Sequence, residues 1–311
     1  MVKIAPQDLI AGMREGSRRI LAKAISVVEN GEDGRAEVLE YAYRTMKECF
    51  LVLGVTGVGG AGKSTLIDKL VAAYRAKGLT VGVIAVDPSS PYSGGAVLGD
   101  RVRMAAHNSD TGVFIRSLGS RGAFGGISQG SKDVLYLYKS FGFDVILVES
   151  LGVGQAETEI THFVDVTTVL LVPGYGDAIQ MAKAGVQEIA DIFVINKSDR
   201  PEADALYYQL LTTFDNLPEE LQPLVVKTIA SENTGIPELL AAVEKAQVRQ
   251  APNKESKKRT RVECEIASGV RRQFDERLDE EVRRMMGPVL NDEFTPFVAA
   301  ERIGAKISLK E

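Results

Sequence analysis

Short apolar runs alternate with longer amphipathic stretches through the middle of the chain. The runs are rich in Val, Ile and Leu, and the stretches between them carry apolar residues at helical spacing. This alternation predicts a mostly parallel sheet covered by helices on both faces. The predicted strands are CFLVLGV (49–55), VGVIAVD (81–87), GVFIRS (112–117), DVILVES (144–150), TTVLLVP (167–173), DIFVIN (191–196) and PLVVKTIA (223–230).

The amino-terminal region has a helical pattern of apolar residues instead of short strand-like runs. Residues 1–46 have apolar positions close to a period of 3.6, which predicts helices, and GEDG at 31–34 predicts a break between two of them. We therefore expect an N-terminal helical extension over 1–46, followed by an α/β nucleotide domain over 47–247.

The carboxyl-terminal region, 248–311, is predicted to be a linker followed by a helical arm. Residues 249–261 are polar and basic without aromatic residues, which favours a solvated linker over a nucleic-acid patch. Over 262–287, apolar side chains recur every fourth residue, so an amphipathic helix there must pack against its own core or against a second subunit. The members of this stripe are Ile266, Val270, Phe274, Leu278 and Val282.

Composition is that of an ordinary globular protein. Of 311 residues, 45% are hydrophobic and 25% are charged; 37 basic and 42 acidic side chains give a net charge of −5, which offers no global basic field for nucleic acid or an anionic membrane. Cys49 and Cys264 match no metal or redox spacing; we expect a buried strand position and a helix position, both reduced. No apolar run reaches the ~18 residues of a membrane span, and no signal peptide is indicated. We expect a soluble, cytoplasmic protein.

The most specific motif is GVGGAGKST at 57–65, which fills the pattern G-x-x-x-x-G-K-[ST]. It lies between a predicted strand and a predicted helix, the context of a phosphate-binding loop rather than of a chance glycine-rich turn. Lys63 is expected to reach the β- and γ-phosphates, and the Ser64 hydroxyl is expected to hold magnesium. The sequence thus predicts a P-loop nucleoside-triphosphatase fold. The expected nucleotide contacts of the loop are Gly57, Gly59, Gly60, Ala61, Gly62, Lys63, Ser64 and Thr65.

A second motif, Asn196-Lys197-Ser198-Asp199, directly follows the predicted strand DIFVIN. Ligands of open α/β sheets bind beyond the carboxyl ends of the strands. Asp199 can accept the N1–H and N2 amino protons of guanine, a pair that adenine does not offer, while Asn196 can address the other edge of the ring and Lys197 its face. Alone this is a short pattern that a polar turn could match, but after a phosphate loop it favours GTP over ATP. Ser231 is a further expected nucleotide contact.

Acidic residues end two further predicted strands. Asp87 ends VGVIAVD and opens a Pro-, Ser- and Gly-rich loop that finishes at Asp100. Glu149 lies at the end of the predicted strand DVILVES. Magnesium takes oxygen ligands, usually one or two carboxylates together with phosphate. The loop over 88–100 is either an ordinary surface turn or a segment that moves with the γ-phosphate. Expected metal ligands are Ser64, Asp87, Asp100 and Glu149, and expected catalytic residues are Lys63, Asp100 and Glu149.

The residues after Glu149 predict slow hydrolysis. Gly152 follows at the spacing of a γ-phosphate-sensing loop, with Glu149 in place of the usual Asp. Val153 stands where many GTPases place a water-orienting Gln, and Gln155 comes two residues later. We therefore expect a partner to complete or rearrange the site. Arginines that could neutralise transition-state charge, or serve as ordinary surface contacts, are Arg101, Arg103, Arg116 and Arg121.

Glu149-x-x-Gly152, DPSSPYSGGAVLGDRVRM (87–104) and GVGQAETEI (152–160) together resemble the MeaB/ArgK family of G proteins, which includes the human methylmalonic aciduria type A protein. The resemblance extends over nearly the whole chain. It implies a GTPase that binds Mg²⁺ with GTP or GDP and chaperones an adenosylcobalamin-dependent acyl-CoA mutase, gating cofactor loading from a cobalamin adenosyltransferase and helping to expel damaged cobalamin. It also implies a homodimer built with the C-terminal arm.

The resemblance assigns further residues. GYGDAIQMAKAG (174–185) is similar to an additional switch of the family that responds to nucleotide and touches the mutase. Asp177, Gln180 and Lys183 therefore join Gln155 as expected switch or partner residues, although the pattern alone would make them a plain helix face. The chain departs from the family at Ser150, usually Thr, and after Gly126. These departures leave open whether the client is methylmalonyl-CoA mutase or a mutase for another branched or hydroxylated acyl-CoA.

Three other functions fit parts of the sequence. A metallochaperone GTPase for nickel or cobalt shares the Glu-x-x-Gly loop but normally has clustered Cys or His, whereas this chain has His107, His162 and two scattered cysteines. A small-molecule kinase needs an acceptor site and a base, and a nucleotide-binding scaffold differs only in its rate of turnover. Comparing GTP with ATP turnover, with and without a purified mutase, separates these functions.

Overall fold

A seven-stranded, all-parallel sheet forms the centre of the computed structural model, which describes residues 4–87, 104–107, 109–119, 129–152, 160–174, 189–291 and 293–308. All the predicted strands are confirmed, with ends that differ by a few residues. They are β1 (Leu51–Gly57), β2 (Val81–Asp87), β3 (Val113–Gly119), β4 (Val145–Glu149), β5 (Val166–Leu171), β6 (Ile192–Asn196) and β7 (Leu224–Thr228). Their spatial order is β3-β2-β4-β1-β5-β6-β7.

The α-helices among the described residues connect these strands and extend the chain at both ends. They are α1 (Pro6–Arg14), α2 (Arg18–Asn30), α3 (Arg35–Arg44), α4 (Lys63–Ala76), α5 (Gln129–Phe141), α6 (Ile160–Phe163), α7 (Ala203–Phe214), α8 (Ile236–Gln250), α9 (Lys254–Leu290) and α10 (Pro296–Ser308).

Helices cover both faces of the sheet, which explains why the strands are apolar on both sides. One core joins β1, β4 and β5 to α4 and α8, and Leu66, Leu70 and Leu239 are fully buried in it. On the other face α7 packs on β6, where the Phe193 and Phe214 rings stack with centroids 5.4 Å apart. This packing fixes the carboxyl ends of the central strands along one edge, where the motif residues lie.

The N-terminal extension packs against α5 and β3 and so belongs to the layer of helices that covers the sheet. Arg35 on α3 pairs with the buried Asp133 on α5. Arg116 on β3 donates to Ser26 Oγ at 3.0 Å and to Glu29 Oε2 at 3.2 Å, both on α2. Helix was predicted here, but three helices form instead of two, because the chain also turns between α1 and α2.

The chain separates into two compact units, Met1–Glu255 and Ser256–Glu311. In the second unit, α10 packs against α9 through Ala299 and Ile303, and Lys306 Nζ donates to Glu281 Oε1 at 2.6 Å. The two helices border an apolar groove of about 420 Å³ lined by Phe274, Leu278, Val282, Ala300, Ile303, Gly304 and Ile307. The predicted stripe is therefore partly packed within this unit and otherwise exposed.

Two expectations about local structure were wrong. Residues 249–261 are not an open linker: α8 runs to Gln250, a short 3-10 turn spans Ala251–Asn253, and α9 begins at Lys254. Cys49 lies before β1 and is half-buried, not within a strand, whereas Cys264 is in α9 as predicted. Within the described residues, every helix is too short or too polar to span a bilayer.

Candidate functional site

The phosphate-loop motif forms the turn between β1 and α4. β1 is the central strand and ends at Gly57, and α4 begins at Lys63, so residues 58–62 lead from a strand end to a helix N-terminus. A helix N-terminus offers unpaired N–H groups and the positive end of the helix dipole, both of which favour a bound phosphate. The expected contacts Gly57, Gly59, Gly60, Ala61, Gly62, Lys63, Ser64 and Thr65 lie in this turn or next to it.

Lys63 is buried with its ammonium group against backbone carbonyls. Nζ donates to Gly57 O at 2.7 Å and to Val58 O at 3.3 Å, and lies 3.5 Å from Leu151 O in the segment after β4. Phosphate oxygens would compete for the same three N–H donors. Lys63 is thus placed to link a bound nucleotide to the Leu151 carbonyl.

Three oxygen-bearing side chains lie along the carboxyl edge beside this loop. Ser64 Oγ donates to Glu149 Oε1 at 3.0 Å, and both side chains are buried. Asp87 is buried at the end of β2, the strand next to β4. One hydroxyl and two carboxylates fit the ligands that magnesium takes together with phosphate. Among the described residues, no group of three His, Cys, Asp or Glu side chains could hold a metal ion by itself.

Gly152 brings the segment after β4 into direct contact with the phosphate loop. Its φ is +79°, and a Cβ there would fall 1.8 Å from Gly57 O and 2.8 Å from Lys63 Nζ. A larger residue would therefore meet both a left-handed backbone and a collision with the end of β1. The Glu-x-x-Gly spacing is explained by this close approach.

Asn196, at the end of β6, connects three segments of the site. Its Nδ2 donates to Ala61 O at 2.8 Å, and its Oδ1 accepts from Thr228 Oγ1 and from Ala230 N, each at 3.1 Å. A Cβ on Gly62, whose φ is +93°, would lie 2.5 Å from this Nδ2, so glycine is needed there. Asn196 therefore links the phosphate loop to the end of β7 and the turn after it, a structural role in addition to the predicted contact with the base.

The other residues predicted to read guanine share the same edge. Lys197 has φ +58°, and its Nζ donates to Gly60 O at 2.9 Å across to the phosphate loop. Asp199 is exposed in the turn after β6, and Ser198 N donates to Thr228 O at 3.1 Å, which holds this turn against β7. Ser231 lies in the short 3-10 turn Ala230–Glu232 that follows β7.

Several predicted residues lie outside the part of the chain that the structure describes, and their assigned roles stay predictions. They are the expected metal ligand and catalytic residue Asp100, the expected switch or partner residues Gln155, Asp177, Gln180 and Lys183, and the candidate arginines Arg101, Arg103 and Arg121.

Arg116 and Ser150 have structural roles. The Arg116 guanidinium donates to side chains of α2, which argues against its use at the phosphates. Ser150 is buried, and its Oγ donates to Thr56 Oγ1 at 2.6 Å inside the sheet. The difference from the family's Thr therefore lies at a buried position whose hydroxyl is used in packing β4 against β1.

Known proteins share both the sequence pattern and the fold of this site. The sequence model of the family described as methylmalonyl Co-A mutase-associated GTPase MeaB matches residues 21–283. The chain belongs to the MeaB family. A Pyrococcus horikoshii protein that has been provisionally named a GTPase is 40% identical over 96% of this chain and 98% of its own length. GTPase ArgK of Escherichia coli is 37% identical over 76% of this chain and 74% of its own length.

Two other similarities bear on function. A segment of the fused isobutyryl-CoA mutase of Cupriavidus metallidurans, 17% of that protein, is 41% identical to 60% of this MeaB-family chain. A crystal structure of an LAO/AO transport system kinase is similar, with a TM-score of 0.67 at 27% identity over 97% of each chain. The parallel sheet and the P-loop GTPase fold predicted from sequence are confirmed.

Proposed function

We propose that this MeaB-family GTPase is a GTP-hydrolysing chaperone of an adenosylcobalamin-dependent acyl-CoA mutase. It would gate cofactor loading, with a cobalamin adenosyltransferase as a further partner, and would protect or reactivate the mutase. The observation that carries the proposal is the fused isobutyryl-CoA mutase, in which a segment similar to this chain belongs to the same polypeptide as a mutase. That relative supports a mutase as the client.

The proposed nucleotide mode follows from the site. The first turn of α4 and Lys63 would bind the β- and γ-phosphates, and Asp199 would accept the N–H groups of guanine. Ser64, Glu149 and Asp87 would hold a magnesium ion, which when bound neutralises phosphate charge. Asn196 would keep the base and phosphate halves of the pocket in fixed relation through its contacts with Ala61 and Ala230.

The proposed switch starts at Lys63. Its ammonium group approaches both Gly57 O and Leu151 O. A shift of that group toward phosphate would weaken its contact with Leu151 O, and so would loosen the segment that contains Gly152. A client that contacts this segment would sense the nucleotide, and by linkage would change nucleotide affinity in return. Slow intrinsic hydrolysis and activation by the mutase belong to this proposal, with Gln155, Asp177, Gln180 and Lys183 as client-facing candidates.

The proposed quaternary state is a homodimer formed through α9. Ile266 and Val270 are each 63% exposed and Phe274 is 50% exposed, although the three share an apolar stripe at a spacing of four. An exposed stripe of this kind is typical of a helix that packs against another subunit.

The test compares GTP with ATP turnover and then adds a purified cobalamin-dependent mutase. We expect a preference for GTP, release of inorganic phosphate, and a faster rate with the mutase. Asp199→Ala should lose roughly a hundredfold or more in guanine preference, because two hydrogen bonds to a charged group disappear, each contributing ~1.5–3 kcal/mol. ATP preference, transfer of phosphate to a small molecule, or indifference to the mutase would count against the proposal.

A further inference from the structure

The outer side of α7 and the turn after it carry exposed apolar side chains that the nucleotide site does not use. Tyr208 is 66% exposed, Leu211 42%, Leu217 42% and Leu221 69%. We call these four residues the α7 face. Apolar residues scattered singly over a surface are ordinary, but four large ones within a short stretch of chain are typical of an interaction site.

Ordered structure presents the α7 face. The inner side of the helix is fixed by burial of Leu210 and Phe214, so Tyr208 and Leu211, three residues apart, share the outer side. After the helix, Leu217 N donates to Phe214 O at 2.9 Å, and Leu221 N donates to Pro218 O at 2.8 Å. A partner would therefore meet side chains held on hydrogen-bonded backbone, which lowers the entropic cost of docking.

The stretch of chain that carries this face has more acidic than basic side chains around it; a basic side chain in contact with the stretch is Arg249 of α8, which donates to Gln222 O at 3.0 Å. Between Arg200 and Lys227 the sequence has no lysine or arginine. Lys227 is itself engaged, since it pairs with Asp204 at 2.5 Å and lies 4.5 Å from the Tyr207 ring. The remaining acids of the stretch, none with an ion pair among the described residues, are Glu202, Asp215, Glu219 and Glu220.

The charge pattern selects the kind of partner. Nucleic acids and anionic membranes would be repelled by carboxylates on this rim. Helix surfaces pack through ridges of residues three and four apart, the spacing of Tyr208 and Leu211. We propose that the α7 face docks an amphipathic helix of another protein whose apolar stripe is bordered by lysine and arginine.

The location gives the proposed contact a functional context. α7 begins four residues after Asp199, and the Lys227 that pairs with Asp204 precedes Thr228, which donates to Asn196. The first turn of α7 therefore adjoins the turn that contains Asp199, whereas Leu217 and Leu221 precede β7 and lie toward the opposite edge of the sheet. The inference goes beyond the proposed chaperone function, because it depends only on the chemistry of this surface.

The test uses the full chain and a fluorescent amphipathic peptide of ~18 residues composed of leucine and lysine, a length that suits a short helix. A matched peptide has glutamate in place of lysine. Affinity is measured by fluorescence anisotropy at low and high salt, and the bound surface is mapped by hydrogen exchange. We expect the lysine peptide to bind with a dissociation constant of ~1–100 μM, to protect amides in 203–221, and to weaken with salt. The glutamate peptide should bind at least tenfold more weakly.

Variants separate the α7 face from other exposed apolar residues. Leu211→Ser with Leu221→Ser should weaken the lysine peptide about tenfold or more, because exposed anchors contribute most of the affinity of a small interface. Val248→Ser is the matched control: Val248 is 75% exposed on α8, and its loss should change affinity by less than about twofold.

A second variant, Asp215→Asn with Glu219→Gln and Glu220→Gln, keeps the apolar residues and removes charge; it should weaken binding several-fold and flatten the salt dependence. These three residues are exposed, so this variant tests the proposal even if the double serine variant does not fold. The proposal is overturned if the lysine peptide does not bind, if both peptides bind alike, if protection falls only outside 203–221, or if neither variant differs from Val248→Ser.

Discussion

Gly152→Ala is the sharpest test of how the segment after β4 is coupled to the phosphate loop. The added Cβ would lie 1.8 Å from Gly57 O, whereas real Cβ contacts stay above 3.0 Å, so one of the two segments must move by at least 1.2 Å. The same methyl group would lie 2.8 Å from Lys63 Nζ, so the movement also disturbs the 2.7 Å hydrogen bond from Lys63 Nζ to Gly57 O.

This substitution has two effects, a loss of stability from backbone strain and a loss of hydrolysis rate from displacement of the loop, and the two can be measured separately. A left-handed backbone costs a non-glycine residue ~1–2 kcal/mol of stability wherever it occurs. A displacement of about 1 Å at a catalytic loop can cost roughly a hundredfold in rate. Gly78→Ala isolates the first effect, because Gly78 has φ +80°, an added Cβ there would meet nothing within 4 Å, and the residue lies at the far end of α4.

Gly78→Ala should therefore lower the melting temperature by roughly 2–8 °C, and Gly152→Ala should lower it further, because the collision with Gly57 O adds to the cost of the left-handed backbone. Only Gly152→Ala should lose about a hundredfold in single-turnover GTP hydrolysis, measured at saturating GTP so that weaker binding does not mask the change. Equal hydrolysis by the two variants would refute the inferred coupling between Gly152 and the phosphate loop.

Three further predictions concern Asn196, the ion pair between Arg75 and Asp110, and the exposed apolar stripe of α9. Asn196→Ala should lower the free energy of unfolding by ~2–4 kcal/mol and weaken GDP binding in calorimetry, because buried backbone groups lose their partner; unchanged denaturant and binding curves would contradict this. The hydrogen bond from Arg75 holds the pKa of Asp110 below its ordinary value, so this pair stabilises the fold above that ordinary pKa and the contribution is lost as pH falls through the lowered one. Asp110→Asn should thus be less stable than the parent chain near neutral pH, and the difference should close in acid; a constant difference in urea unfolding across pH would exclude this. Val270→Glu with Phe274→Glu should convert the proposed dimer to a monomer in analytical ultracentrifugation, and an unchanged mass would argue against an α9 interface.

The strands and the phosphate loop were predictable because their signals are local. The five inner strands are continuous, largely apolar runs buried along their whole length, whereas the edge strands β3 and β7 are half-buried. The loop motif fixes both the strand end at Gly57 and the helix start at Lys63. The break between α1 and α2 was also local but overlooked: Gly16 has φ +76°, and the Ser17 side chain accepts from Ile20 N as an N-cap.

The helix over 254–261 was missed for a different reason. Polarity was interpreted as a linker, although Lys, Arg and Glu are good helix formers and Arg259 pairs with Glu263 one turn later. The network around Asn196 could not be read from sequence at all. It depends on Ala61 and Thr228, which lie far from Asn196 in the chain and meet it only once the sheet is assembled.

The way α2 and α3 are attached has a practical consequence for anyone dividing this protein. A truncation that starts at β1, where the nucleotide fold formally begins, would strip the Arg35 partner from the buried Asp133 carboxylate and the Glu29 partner from Arg116. Removing one partner of a buried ion pair is destabilising, because the remaining charge loses part of the compensation for its desolvation. A minimal GTPase fragment should therefore keep its first helices and be trimmed, if at all, beyond Glu255.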